Sequence, residues 1–133
     1  MAIPNEVKNL FEKHPIVTFS TADKQGNPNA VPIFWKKIIN DEAILLVDNY
    51  MKMSKENLLE NSSVCLAFWD SETHEAYKIK GNATYHTEGS VYELGKSFIQ
   101  SQKPEATPKG IVEIKVTEVY NITPGSDAGK KMC

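Results

Sequence analysis

The stretch AILLVDNYMKMSKENLLENSSV, residues 43–64, decides how the rest of this chain is read. Ala43 to Val47 is an apolar run of strand length, and Asp48-Asn49-Tyr50-Met51-Lys52-Met53 follows as a turn. Ser54 stands at an N-cap position ahead of Lys55-Glu56-Asn57-Leu58-Leu59, so the pattern predicts a strand feeding directly into a helix N-terminus. Such a terminus offers unpaired backbone N–H groups and the positive end of the helix dipole, with Lys52 and the Ser54 hydroxyl as further donors. A phosphate would be held well there. The competing reading is that Ser54 only caps its own helix and the lysines are solvated.

Outward from this segment the chain alternates strands and turns. Val7, Leu10 and Phe11 recur at helical spacing, with Pro4 in the first turn, which predicts a short amphipathic helix over residues 4–13. A strand is expected over Ile16–Ala22, a turn at Asp23–Pro28, and a second strand over Ala30–Ile39. Pro32 has no N–H for a ladder, so its position reads as an edge, a bulge, or a place where something other than a strand lies alongside. In such a strand Phe34 and Trp35 point to opposite faces. Val64–Trp69 (VCLAFW) is apolar almost without alternation, and residues 76–87 alternate cleanly between apolar and polar positions. Ser90-Val91-Tyr92-Glu93 has the spacing of a capping box, and Val91, Leu94, Gly95, Phe98 and Ile99 line one side of the helix it would open. A proline-bearing loop then leads to a last alternating strand over Ile111–Ile122. Six strands in a meander with short flanking helices predict a mainly β chain closed, or nearly closed, into a small antiparallel barrel.

At 133 residues the sequence accommodates a single domain, residues 1–133, and the formal net charge of −2 with interspersed lysines leaves no basic stripe for nucleic acid or an anionic membrane. All 15 basic residues are lysines. Without arginine, no bidentate guanidinium clamp is available, and an anion must be held by lysine, hydroxyls and backbone N–H groups. Cys65, in an apolar strand, and Cys133, the last residue, are a poor disulfide pair, and no apolar run approaches the roughly 20 residues of a membrane span, so a cytoplasmic location is expected. His14, His74 and His86 are scattered, no Cys/His pair has ligand spacing, and no metal site or hydrolytic elbow is legible.

The order of parts, IVTFSTAD, a turn with glycine, NAVPIFWKK, a hairpin and then ILLVDNYMKMSKENLLENSSV, resembles the pyridoxamine 5′-phosphate oxidase-like split β-barrel family, and within it the small single-domain FMN-binding proteins. The resemblance runs over nearly the whole chain and implies a six-stranded antiparallel split β-barrel. It implies FMN as cofactor, with the phosphate at Lys52, Met53 (through backbone), Ser54 and Asn57. The ring would lie along Val31-Pro32-Ile33-Phe34-Trp35, close to Asp48-Asn49, with main-chain groups of Ile33 and Trp35 serving its polar edge. It also implies a homodimer with the cofactor between subunits, in which Trp69 or Tyr77 of the second chain borders the flavin, and VCLAFW is a candidate interface. Activity would be that of a flavin oxidoreductase or electron-transfer protein with a small-molecule electron donor or acceptor. A non-catalytic flavin carrier or sensor, or a relative binding the deazaflavin F420, would use the same site. The pattern departs from the family at two points. Met53 stands where small FMN-binding relatives often carry lysine, with Lys52 one position earlier, and the arginines with which larger relatives hold pyridoxamine phosphate are missing, so oxidation of that vitamin is not expected.

Overall fold

A computed structural model describes residues 2–133. The elements run α1 (Asn5–Lys13), β1 (Val17–Ala22), β2 (Pro28–Ile33), β3 (Lys36–Asn40), β4 (Ala43–Asp48), α2 (Met53–Glu60), β5 (Ser63–Trp69), β6 (Ala76–His86), α3 (Ser90–Gln102), β7 (Gly110–Asn121) and the two-residue β8 (Lys130–Lys131). All strands pair antiparallel in one sheet of order β2-β1-β5-β6-β7-β4-β3, with β8 added on β7. The mainly β split-barrel architecture stands, with more strands than the six expected. The single strand read over Ala30–Ile39 is two, β2 and β3, and they form the opposite edges of the sheet. The reason is a change of partner. Ile33 is the last residue registered on β1, opposite Val17, while the Trp35 carbonyl already accepts the Val47 N–H of β4 at 3.0 Å. Pro28 and Pro32 therefore sit in an edge strand, where a missing donor is tolerated.

The inner core is built from alternate residues of every long strand: Val17 and Phe19, Ile44 and Leu46, Val64, Leu66 and Phe68, Ile79 and Ala83, Val112 and Ile114. Helix α1 closes one end with Val7, Leu10 and Phe11, whose ring meets Phe68 edge-on at 5.3 Å between centroids. Strand β4 is apolar on both faces because both are covered. Ile44 and Leu46 face the inner core, and Leu45 and Val47 form a second cluster with Ile111 and with Ile99 of α3. Gly95 lets α3 come down on β7, since a Cβ there would lie 2.5 Å from the Ile111 side chain. Neither expected cap forms: α2 begins at Met53, one residue before Ser54, and α3 has Gly89 at its N-cap with no side-chain bond from Ser90 or Glu93 to the cap. Leu94 is exposed rather than packed on the barrel.

Candidate functional site

The place where the chain passes from one edge of the sheet to the other is also a cleft. It has a volume of about 630 Å³ and is walled by Val31 to Trp35 on one side and by Val47, Asn49, Tyr50 and Met51 on the other, with Lys103 at its margin. The size is that of a small-molecule or cofactor site. Pro32, Ile33, Phe34 and Trp35 thus share one opening with Asn49 of the turn after β4. Phe34 is 58 % exposed, while Trp35 packs into the outer cluster with α3, so neither ring enters the inner core, and the alternation expected for a continuous strand stops at the break. Ile33 is committed to β1 and the Trp35 carbonyl to β4, but among the described residues the N–H groups of Phe34 and Trp35 make no backbone hydrogen bond. Unpaired main-chain donors at the floor of a cleft are available to a ligand.

Asp48 is near the cleft without lining it. Its carboxylate is fully buried, accepting the Met51 N–H at 2.7 Å through one oxygen and the Tyr85 hydroxyl through the other. Burial, followed by the hydrogen bond to Asp48, pushes the Tyr85 phenol well above its ordinary pKa, so it remains a donor at neutral pH. Asp48 thereby shapes the turn Asn49–Met51 that forms the cleft wall; it does not present its carboxylate to a ligand. Tyr85, which lies in the alternating run over residues 76–87, is a partner that the sequence reading did not single out.

The turn and helix start lie immediately beyond Met51. Lys52 and Met53 are exposed, and the helix N-terminus leaves its first backbone N–H groups without intrahelical partners. Ser54 and Asn57 behave differently from the expectation. Ser54 is 1 % exposed and its Oγ accepts from Asn29 Nδ2 at 3.1 Å, while Asn57 Nδ2 donates to the buried Thr21 Oγ1 at 3.0 Å. Both side chains are turned into the protein, where they pin α2 to β1 and β2. Replacing Asn57 with alanine is expected to cost about 1–2 kcal/mol of stability, because Thr21 is left buried without its partner. Chemical denaturation measures this, and an unchanged midpoint would show the pin to be idle.

The two residues expected from a second chain part company. Tyr77 is buried against Phe68 with its hydroxyl on Glu75, so it has no surface to offer, whereas Trp69 is 51 % exposed on the outside of β5. In β5 as a whole, Val64, Leu66 and Phe68 point inward, and Cys65, Ala67 and Trp69 face out. Cys65 is half-buried, and burial raises its thiol pKa. Among the described residues no group of His, Cys, Asp and Glu is arranged to hold a metal, and no helix is long and apolar enough to cross a membrane. His86 pairs with Glu113 at 2.9 Å, away from the cleft.

Comparison with known proteins bears on what such a cleft does. A family model described as pyridoxamine 5′-phosphate oxidase matches residues 3–123. The uncharacterized protein MJ0282 of Methanocaldococcus jannaschii is 37 % identical over 126 residues, spanning 93 % of this chain and 83 % of its own length. Among solved structures, HupZ of Group A Streptococcus superposes with a TM-score of 0.83 at 28 % identity, covering 96 % of this chain and 99 % of that one. An FMN-binding protein from Syntrophomonas wolfei superposes with a TM-score of 0.73 at 14 % identity, covering 85 % of this chain and 80 % of that one, which is a likeness of fold alone.

Proposed function

We propose, since this chain belongs to the pyridoxamine 5′-phosphate oxidase family, that it is a flavoprotein which holds FMN in the cleft between Val31–Trp35 and Asn49–Met51. The observation that carries the reading is the continuity of this cleft with the start of α2. A flat ring fits beside the sheet break, and the chain leads from Met51 directly to a helix N-terminus that can receive a phosphate. Bound FMN would supply one- and two-electron redox chemistry, and the protein would supply position, burial and hydrogen bonds.

The residues fit this cofactor with two revisions, one at the phosphate and one at the ring edge, where Phe34 takes the place expected of Ile33. Ser54 and Asn57 contribute by fixing α2, and the phosphate is received by backbone N–H groups at Met53 and Ser54 together with the exposed Lys52 ammonium. The N–H groups of Phe34 and Trp35 are the main-chain donors left for the polar edge of the ring. Such an arrangement serves an oxidoreductase or an electron-transfer protein. With no arginine in the chain, pyridoxamine phosphate is a poor candidate substrate.

The cofactor is proposed to lie between two copies of the chain. Strands β4 and β5 are both apolar on two faces; α3 covers the outer face of β4, while on β5 Cys65 and Ala67 remain half-exposed and Trp69 largely so. In register with them stand Thr18, Ser20, Ala30 and Pro32, small side chains that make a flat surface for a second molecule. The test is to titrate the purified protein with FMN by flavin fluorescence and to sediment it with and without the cofactor. Saturable quenching by a dimeric protein is expected, followed by flavin reduction on adding a nicotinamide donor if the protein is an oxidoreductase. A monomer that binds no FMN would sink the reading, and preferential binding of the deazaflavin would move the cofactor to F420.

A further inference from the structure

Met51 and Met53 flank Lys52 at the joint between the cleft and α2, and the fold treats them oppositely. Met51 is 6 % exposed, lines the cleft and belongs to the inner core. Met53, the first residue of α2, is 57 % exposed, so its side chain is open to solvent. Met132 is packed against the inner core at the other end of the chain.

The surroundings of Met53 give its chemistry a consequence. Helix α2 has no side-chain cap, and the N–H groups of Met53, Ser54 and Lys55 have no hydrogen-bond partner among the described residues. The Glu56 N–H is the first to reach a helical acceptor, the Lys52 carbonyl at 3.1 Å. Ser54, the nearest hydroxyl, is engaged by Asn29 at 3.1 Å, and Asn57 fastens the same helix to Thr21 at 3.0 Å, so neither side chain turns back to these donors. The free donors include those assigned above to the phosphate, and they stay free only while no side chain beside them carries a strong acceptor. A thioether sulfur is a weak acceptor. A sulfoxide is polar, and its oxygen stands as many bonds from the backbone as the side-chain oxygen of glutamine.

We propose that Met53 is a modification site through which hydrogen peroxide regulates the cofactor site: oxidation to the sulfoxide places an acceptor on the free N–H groups of α2 and displaces the phosphate. The proposal rests on the flavin reading for what those donors hold. One peroxide oxygen is transferred to the sulfur and the O–O bond breaks; the thioether is oxidised to the sulfoxide, and the peroxide is reduced to water. Dioxygen that takes two electrons and two protons from a reduced flavin leaves as hydrogen peroxide, so the oxidant forms beside the residue it modifies.

The test is peroxide treatment of the full chain, with peptide mass spectrometry to locate the oxidation and flavin fluorescence titration to measure affinity. Met53 should be oxidised at least about tenfold faster than Met51. The oxidised protein should bind FMN about fivefold more weakly than the untreated one, and methionine sulfoxide reductase should restore the affinity. Riboflavin, which lacks the phosphate, should bind treated and untreated protein equally. Met53→Leu keeps both cysteines, and its FMN affinity, whatever its starting value, should be the same before and after treatment. Met53→Gln, whose side-chain oxygen imitates the sulfoxide, should bind as the oxidised parent does. Oxidation of Met51 ahead of Met53, a loss that persists in Met53→Leu, or an FMN affinity changed by less than about twofold overturns the proposal. Untreated protein that refuses FMN retires the flavin reading and this regulation with it. Untreated protein that binds FMN and is indifferent to oxidation retires the regulation alone.

Discussion

Asp48→Ala should lower the stability of the protein by about 3 kcal/mol and loosen the cleft at the same time. The carboxylate is buried and satisfies two donors, the buried Met51 N–H and the part-buried Tyr85 hydroxyl, and alanine leaves both without this acceptor. Each orphaned donor costs about 1–3 kcal/mol, partly offset because a buried charge no longer has to be desolvated. Asp48→Asn keeps one acceptor and should lose less. Tyr85→Phe removes the second bond alone, and a double-mutant cycle with Asp48→Asn should return a coupling of about 1 kcal/mol or more. Because the turn from Asn49 to Met51 is one wall of the cleft, FMN affinity should fall along with stability. Urea unfolding and flavin titration of the same variants decide the matter. An Asp48→Ala protein within about 0.5 kcal/mol of the parent would mean that the carboxylate does not organise this turn.

The second large effect is expected far from the cleft. Gly81 lies at the register shift between Lys80 and Gly81 where β6 crosses β7, and a Cβ there would sit 2.4 Å from the Lys115 carbonyl oxygen and 2.8 Å from Ile114 Cγ2. The first obstacle is backbone in the longest pairing of the sheet, so it cannot swing aside as a side-chain end would. Gly81→Ala should cost about 3 kcal/mol, at the upper end of ordinary overpacking, and lower the melting temperature by roughly 10 °C. The cleft is built from β2, the β2–β3 passage and the turn after β4, so flavin binding at low temperature should be kept by whatever fraction remains folded. A melting point unchanged by this substitution would show that β6 and β7 can part locally at the bulge without cost.

Much of the fold is legible in the chain itself. AILLVD, apolar at every position but the last, reads as a strand, and the structure covers it with the barrel interior on one side and α3 on the other. The alternation in β6 and β7 and the spacing of Val7, Leu10 and Phe11 likewise report which face is buried, because burial is imposed at the period of the local backbone. Pro32 marks an edge for an equally local reason, the lack of a backbone donor. The resemblance carried by IVTFSTAD, NAVPIFWKK and the segment from residue 43 onward located the family.

What only the tertiary structure decided are matters of partner. Ser54 reads as a helix cap because caps are recognised by position, yet its oxygen is engaged by Asn29, 25 residues earlier, and the helix begins before it. Asn57, which the resemblance implies at the phosphate site, donates its amide to Thr21, 36 residues away, a partner that local spacing does not indicate. NAVPIFWKKII reads as one strand, since nothing in its composition tells that its first half pairs with β1 and its second with β4. Asp48 reads as a turn residue beside a flavin until β6 brings Tyr85 to it, and Lys103 reads as one solvated lysine among fifteen until α3 sets it over Trp35. Periodicity records which face of an element is buried, because burial acts on each residue through its own backbone geometry. The choice of neighbour depends on the order of strands in the sheet, a long-range outcome that local spacing does not encode.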